Sequence, residues 1–507
     1  MQSLFDQGAS APAPTSFNMA AHVLAHAERL ADKPALIVMG MDGADTWSYR
    51  AMEAAVRGTG TGLLQAGLKP GDIVLMRLGN NVEFPIAYLG AIAAGLVPVP
   101  TSSQLTAPEV AKMVAELSPG AILRDPEIAC PDTPDTPQID TAALDAMRAL
   151  PPCAYDMGDP DRLGYIIYTS GTSGSPRAVC HAHRAIWARR MMHEGWYGLH
   201  EEDRLMHAGA FNWTFTLGTG LMDPWSVGAT ALIPAKGVAF DALPGLLAAH
   251  KATIFAAAPG VYRKILSDHP DIHLPDLRHG LTAGEKLSET TREEWFEATG
   301  TALYEAYGMS ECSTFISASP SAPAHPHTLG RPQDGRRIAI LDEDGTPVPI
   351  GEEGVIAVSR RDPGLMLGYF NAPEDTAARF VDDWFLTGDR GTMAEDFYIS
   401  YAGRNDDMMN AGGFRVSPLE VESVLSRHPG IETVAVTDVE IKADTRIIAA
   451  FYTGPAALDE TDLAAFAAER LARYKQPRLF RHMETLPTNP NGKLSRRTLR
   501  ETFKANS

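Results

Sequence analysis

The sequence predicts an α/β protein in two parts: a large N-terminal domain of covered α/β sheets plus a small β unit over residues 1–405, and a smaller α+β C-terminal domain over residues 406–507. Three observations lead there. Apolar strand-like runs at residues 72–76, 229–233 and 252–256 alternate with helical stretches such as 241–250, and such alternation belongs to sheets with helices on their faces. From residue 330 to 359 the texture changes to short strands separated by the turns Asp342-Glu343-Asp344-Gly345 and Gly351-Glu352-Glu353-Gly354. Beyond Asp406 a compact segment carries helical patterns at 418–426 and 461–473 and strand patterns at 433–436 and 447–451. A chain of 507 residues also exceeds what one ordinary core accommodates.

Taken in order, residues 51–66 read as a helix, and Gly58-Thr59-Gly60-Thr61-Gly62 lies inside it. No strand precedes those glycines, so they mark close helix packing rather than a dinucleotide loop. Residues 84–100 are uncharged but contain Gly90, Gly95 and three prolines. They read as a buried helix over 85–94, a turn at Gly95 and a strand over 96–99, not as a membrane span. Residues 132–137 form a Pro-rich loop, and no repeat of fixed period is visible. The run 163–168 is apolar and aromatic enough for a buried strand. It leads into Thr169-Ser170-Gly171-Thr172-Ser173-Gly174-Ser175-Pro176-Arg177, which places seven Gly, Ser or Thr residues before a cation. Amides and hydroxyls in such a loop donate to phosphate oxygens. The spacing is not that of a Walker loop, which argues against a kinase or GTPase.

A formal charge of −19 argues against a nucleic-acid partner and accords with solubility. The four cysteines, Cys130, Cys153, Cys180 and Cys312, have neither CxxC spacing nor the density of a disulfide scaffold. His181 with His183, and His325 with His327, lack the companions of a zinc cluster. The N-terminus shows no secretory pattern, so a cytoplasmic protein without membrane attachment is expected. Homodimerisation is compatible with the sequence.

The phosphate loop resembles the signature of the adenylate-forming superfamily, which holds acyl-CoA synthetases, nonribosomal peptide adenylation domains and luciferases. Four further motifs follow in the superfamily's order. Tyr304-Glu305-Ala306-Tyr307-Gly308-Met309-Ser310-Glu311 is similar to its aromatic-Gly-x-Thr-Glu element, and Trp384-Phe385-Leu386-Thr387-Gly388-Asp389 to its Thr-Gly-Asp element. Gly403-Arg404-Asn405-Asp406-Asp407, continuing through Gly412-Gly413-Phe414-Arg415, resembles the hinge and the loop after it, and Asn491-Gly492-Lys493 the terminal lysine motif.

That resemblance implies acyl-adenylate chemistry with ATP, Mg²⁺ and coenzyme A, and a mobile C-terminal domain. Thr169, Ser170, Gly171, Thr172, Ser173, Gly174 and Arg177 would hold the β and γ phosphates. Gly284, Glu285, Tyr307 and Gly308 would border the nucleotide, with Tyr307 facing adenine. Ser310 would meet the α-phosphate, Glu311 the metal, Asp389 the ribose hydroxyls, and Arg404 the ribose or phosphate. Lys493 would stabilise the charge developing between carboxylate and α-phosphorus. Rotation about Asp406 would then bring Gly412, Gly413, Phe414 and Arg415 to the CoA arm. Two departures stand out: Arg177-Ala178 replaces the commoner Lys-Gly, and Asn410 stands where many relatives carry lysine.

The candidate acyl pocket is Phe211, Trp213, Phe215, Thr216, Ala283, Gly284, Gly308, Met309, Thr314 and Phe315. Asn212 occupies the place where amino-acid activators carry an aspartate, which disfavours an α-amino acid. Residues 281–287 resemble benzoate and medium-chain acyl-CoA ligases, which implies an aryl, cyclic or short-to-medium carboxylate as substrate. The alternative is an adenylating enzyme that loads a carrier protein; with no carrier domain expected beyond Lys493, CoA is the expected acceptor.

Overall fold

The structure, a computed structural model, describes residues 1–8, 10–169, 177–269, 271–404, 409–411, 414–442, 445–471, 473, 475–488 and 494–505. By its internal contacts the chain divides into two compact units. One comprises Met1–Leu4, Ala339–Ala357 and Leu386–Ser507; the other comprises Phe5–Ile338 and Val358–Phe385.

The larger unit is built on a nine-stranded sheet. Six strands run parallel in the order Ala302–Met309, His279–Ala283, Ile254–Ala256, Arg204–His207, Thr230–Pro234, Pro34–Met39. Antiparallel strands flank them: Ser313–Ser317 and Arg331–Pro332 at one edge, Ala44–Ser48 at the other. The parallel strands are apolar on both faces, as Thr230–Pro234 and Ile254–Ala256 illustrate, because helices cover both sides. A second, four-stranded parallel sheet runs Val97–Pro100, Ile73–Arg77, Ala121–Arg124, Gln138–Asp140. A third is antiparallel and consists of Leu163–Thr169, Arg177–Ala182 and Gly368–Tyr369.

The helix Tyr49–Gln65 shows why its glycines are there. A Cβ on Gly60 would stand 2.7 Å from Cys153 Sγ and 3.0 Å from Gly90 O, and one on Gly58 would stand 2.7 Å from Arg148 O. The helix Glu83–Ala93 packs against this face, with Gly90 in turn 2.8 Å (from its own virtual Cβ) from Val56 O. The chain then reverses at Gly95, whose φ is +77°, into Val97–Pro100. No helix among the described residues is long and apolar enough to cross a membrane.

In the smaller unit, Thr433–Lys442 and Thr445–Thr453 form an antiparallel pair extended in parallel by Leu479–His482. Helices Pro418–Leu425, Glu460–Ala468 and Arg496–Ala505 accompany them. The core of this segment includes Val421, Leu425, Val436, Ile448, Tyr452 and Leu463. The two predicted strands are longer than their apolar runs, because pairing continues through polar positions such as Glu440 opposite Arg446, after which the register shifts. The predicted helix at 461–473 stops at Ala468. The expected β texture at 330–359 is present as the strands Arg337–Leu341 and Gly354–Ser359.

Candidate active site

In the larger unit the phosphate-loop motif leaves one strand and enters its neighbour: Thr169 and Arg177 are direct partners across the Leu163–Thr169 and Arg177–Ala182 pair. Ser170, Gly171, Thr172, Ser173 and Gly174 lie outside the described residues. Arg177 sits 3.3 Å from Asp375 and 5.0 Å above the Tyr369 ring. Tyr369 donates its hydroxyl to Glu311 Oε1 at 2.8 Å. Burial, then the Glu311 charge, pushes the Tyr369 hydroxyl up to about 12, so it remains a donor at neutral pH. Tyr369 therefore joins the loop's cation to the motif's carboxylate. Sequence reasoning missed Tyr369 and Asp375; the Gly368-Tyr369 pair was the available signal, but nothing local says which strand it joins.

Ser310 and Glu311 lie in the turn between Ala302–Met309 and Ser313–Ser317. Gly308 is required here, since a Cβ would stand 2.1 Å from Ser313 O. The register shifts between Tyr307 and Gly308, and the Tyr307 ring meets Phe315 edge-on at 5.3 Å. His181, stacked on Tyr165 at 4.9 Å, bonds Ser310 O through Nε2 at 2.7 Å. Burial lowers its pKa to about 4, so the ring is neutral and Nε2 carries the proton it donates. His183 instead accepts from Met19 N through Nδ1. Glu285 reaches Arg263 at 4.0 Å.

The acyl candidates separate into groups. Phe215 and Ala283 share one core cluster, with Trp213 packed against it. Trp213 is edge-on to Phe215 at 5.3 Å, and its ring carbon Cζ2 stands 2.6 Å from where a Cβ on Gly284 would lie. Gly284, at φ +93°, thus meets two demands that only glycine satisfies. Thr216 is fully buried beneath Gly209, and Thr314 donates to Met192 Sδ. Phe315 is buried, while Met309 is half-buried. Phe211 lies elsewhere, packed on Phe84 at 5.8 Å in a different cluster.

In the smaller unit, Asp389 and Arg404 are direct partners across Trp384–Met393 and Ile399–Arg404. Arg404 Nε lies 3.9 Å from Asp389 Oδ1, and Tyr401 donates to the same oxygen at 3.5 Å. Gly388, at φ +80°, shapes the turn within the strand, and Thr387 Oγ1 accepts from Asp389 N at 3.1 Å. Phe414 and Arg415 belong to the strand Phe414–Val416, paired with Met409–Ala411. Asp406, Gly412, Gly413 and Lys493 lie outside the described residues.

The AMP-binding enzyme family matches residues 23–370, and the AMP-binding enzyme C-terminal domain matches residues 420–493. The chain belongs to the AMP-binding enzyme family. It is 30% identical to a 3-hydroxybenzoate–CoA ligase of Aromatoleum sp. (strain CIB), covering 94% of this chain and 95% of that one. Identity to a benzoate–CoA ligase of Thauera aromatica is also 30%, covering 91% and 92%. Among solved structures, an anthranilate CoA ligase in complex with anthranoyl-AMP is similar with a TM-score of 0.87 at 25% identity, covering 98% of this chain and 99% of that one. A benzoate CoA ligase from Burkholderia xenovorans is similar with a TM-score of 0.83 at 28% identity, covering 96% and 100%. As a family member the chain is an AMP-forming acid–thiol ligase, with a carboxylic acid, ATP and CoA as its substrates.

Proposed function

We propose that this ligase activates an aromatic or other compact carboxylate with no second charged group as its acyl-adenylate and transfers the acyl group to CoA. The observation that carries the substrate class is the close approach of Trp213 to Gly284, with Phe215 and Ala283 in the same apolar cluster. A flat indole wall beside a residue without a side chain suits a planar acyl group. A charged acyl group finds no counter-charge among Trp213, Phe215 and Ala283.

In the first step the carboxylate oxygen bonds to the α-phosphorus and pyrophosphate leaves. Ser310 offers a hydroxyl to the α-phosphate, Arg177 a cation to the outer phosphates, and Asp389 a carboxylate to the ribose hydroxyls. Lys493 stabilises the charge that develops at the reacting bond. Glu311 suits Mg²⁺, because its carboxylate is a hard oxygen donor oriented through Oε1 by Tyr369. Bound there, the ion would neutralise phosphate charge. In the second step the CoA thiol attacks the acyl carbonyl and AMP leaves. A C-terminal domain from residue 406 turns about Asp406 to present Gly412, Gly413, Phe414 and Arg415 to the pantetheine arm.

The test is pyrophosphate release across a panel of benzoates, cyclic acids, fatty acids of increasing length and dicarboxylates, with and without CoA. Planar monocarboxylates should lead by about tenfold or more in kcat/KM. A dicarboxylate or long-chain optimum would overturn the substrate class. Thioester formation with a carrier protein but not with CoA would overturn the acceptor.

A further inference from the structure

The turn at residues 310–314 is gripped one residue at a time from distant parts of the larger unit. Ser310 O accepts from His181 Nε2 at 2.7 Å, and Glu311 O from Met366 N at 2.7 Å. Cys312 Sγ donates to Asp362 Oδ1 at 3.8 Å, Ser313 Oγ accepts from Arg189 Nη1 at 2.5 Å, and Thr314 O accepts from Arg336 Nη2 at 3.0 Å. Ser313 has φ +62°, in the left-handed region. A non-glycine residue there is strained and persists only where its surroundings hold it. Behind the turn lies a cavity of about 20 Å³, lined among others by Arg189, His181, Ser310 and Ser313.

Arg189 is built for this task. It is 8% exposed and Asp223 is fully buried. Arg189 Nε and Nη2 grip the two Asp223 oxygens at 2.8 and 2.5 Å, and Tyr197 donates to Asp223 Oδ2 at 2.7 Å. The planar fork is thereby fixed, with Nη1 directed at Ser313. A buried ion pair seldom adds net stability over apolar residues of the same volume, so its presence calls for a positional reason.

We propose that Arg189, locked by Asp223, is a positioning residue for adenylation: it holds Ser313 in the left-handed conformation and thereby sets Ser310 and Glu311 against the α-phosphate and its cation. The inference rests on the roles given to Ser310 and Glu311 above. Arg189 itself touches no reacting atom.

Two variants test it. Ser313→Ala removes the contact while the ion pair stays intact. Arg189→Met combined with Asp223→Asn removes it without leaving a lone buried charge. Both, and the triple combination, are assayed by ATP–pyrophosphate exchange with the parent's best acid, by thioester formation from supplied acyl-AMP, and by urea midpoint. The exchange kcat should fall about 10–100-fold in each variant, as expected when reacting groups are displaced slightly. KM for ATP and the thioester step should stay within about twofold of the parent. The triple variant should be no slower than the slower of the other two. A Ser313→Ala protein with parental exchange kcat, losses that multiply in the triple variant, or a matched loss in the thioester step would overturn the proposal. A parent that exchanges pyrophosphate with no acid of the panel would instead overturn the functional reading.

Discussion

Glu311 and Asp389 are both motif carboxylates, 9% and 7% exposed, yet different kinds of structure hold them. Asp389 faces Arg404 across a two-strand ladder, with Tyr401 on the same neighbouring strand. Glu311 is held by Tyr369, 58 residues away in sequence, within a turn that also engages His181 and Arg189, 129 and 124 residues from their partners. The partners at the turn come from 58 or more positions away, whereas Tyr401 is only 12 positions from Asp389. The role proposed for Asp389, at the ribose hydroxyls, is one exercised already in the ground state. A group that meets charge developing in the transition state must already be in place.

The largest expected effect comes from Lys493, assigned to the reacting bond itself. Lys493→Ala should lower acyl-AMP formation about 10²–10³-fold and spare transfer from supplied acyl-AMP to CoA. Equal losses in both half-reactions, followed by pyrophosphate exchange and thioester assays, would remove the lysine from the first step.

Below the Glu311 turn, in the same strand as Tyr307, lies Glu305. Burial pushes its pKa from 4.5 up to about 7, against the opposing influence of the Leu287 amide and Arg292. Between those values the folded carboxyl keeps a proton that the unfolded chain has released. Stability should therefore fall as pH rises from 4.5 to 7 and level off above, by about 3 kcal/mol in all. Glu305→Gln should flatten that slope in urea unfolding at pH 5 to 8. A parental slope in the variant would place the proton elsewhere.

The comparison itself is sharpened by a matched pair. Tyr369→Phe removes a hydrogen bond to a charged group and should cost about 10–100-fold, mainly in kcat for adenylation. Asp389→Asn should act mainly on KM for ATP, by about tenfold. If the two variants shift the same parameter, the distinction between a turn held from distant segments and a locally paired ladder has no kinetic meaning. The smallest effect concerns selectivity. Trp213→Gly, which opens the wall facing Gly284, should move preference toward bulkier acids by about tenfold while KM for ATP stays put. An unchanged acid profile would return Trp213 to the core.

The legibility of each part follows from the range of the interactions that make it. The strand runs at 72–76, 229–233 and 252–256 and the helix at 51–66 were readable because apolar period and flanking glycines are local properties. The strand Leu479–His482 was not, since only four residues pair, and in parallel, with a partner some thirty positions back. The helix Arg496–Ala505 was missed although Leu499 and Phe503, four positions apart among charged residues, mark the apolar face that joins the core. The motifs could be named from sequence because each is a short run of chain that resembles a known superfamily's, and a short run is a local property. Which aromatic residues stand together was settled only by packing. Phe211 and Trp213 are two positions apart and looked alike as pocket residues, but one is buried on Phe84 and the other lies against Gly284. Arg189 and His181 likewise carry no local signal, and the one at Gly368-Tyr369 does not say which strand it joins. Their meaning comes from the tertiary fold, because a hydrogen bond depends on where its donor is in space and not on where it is in the chain.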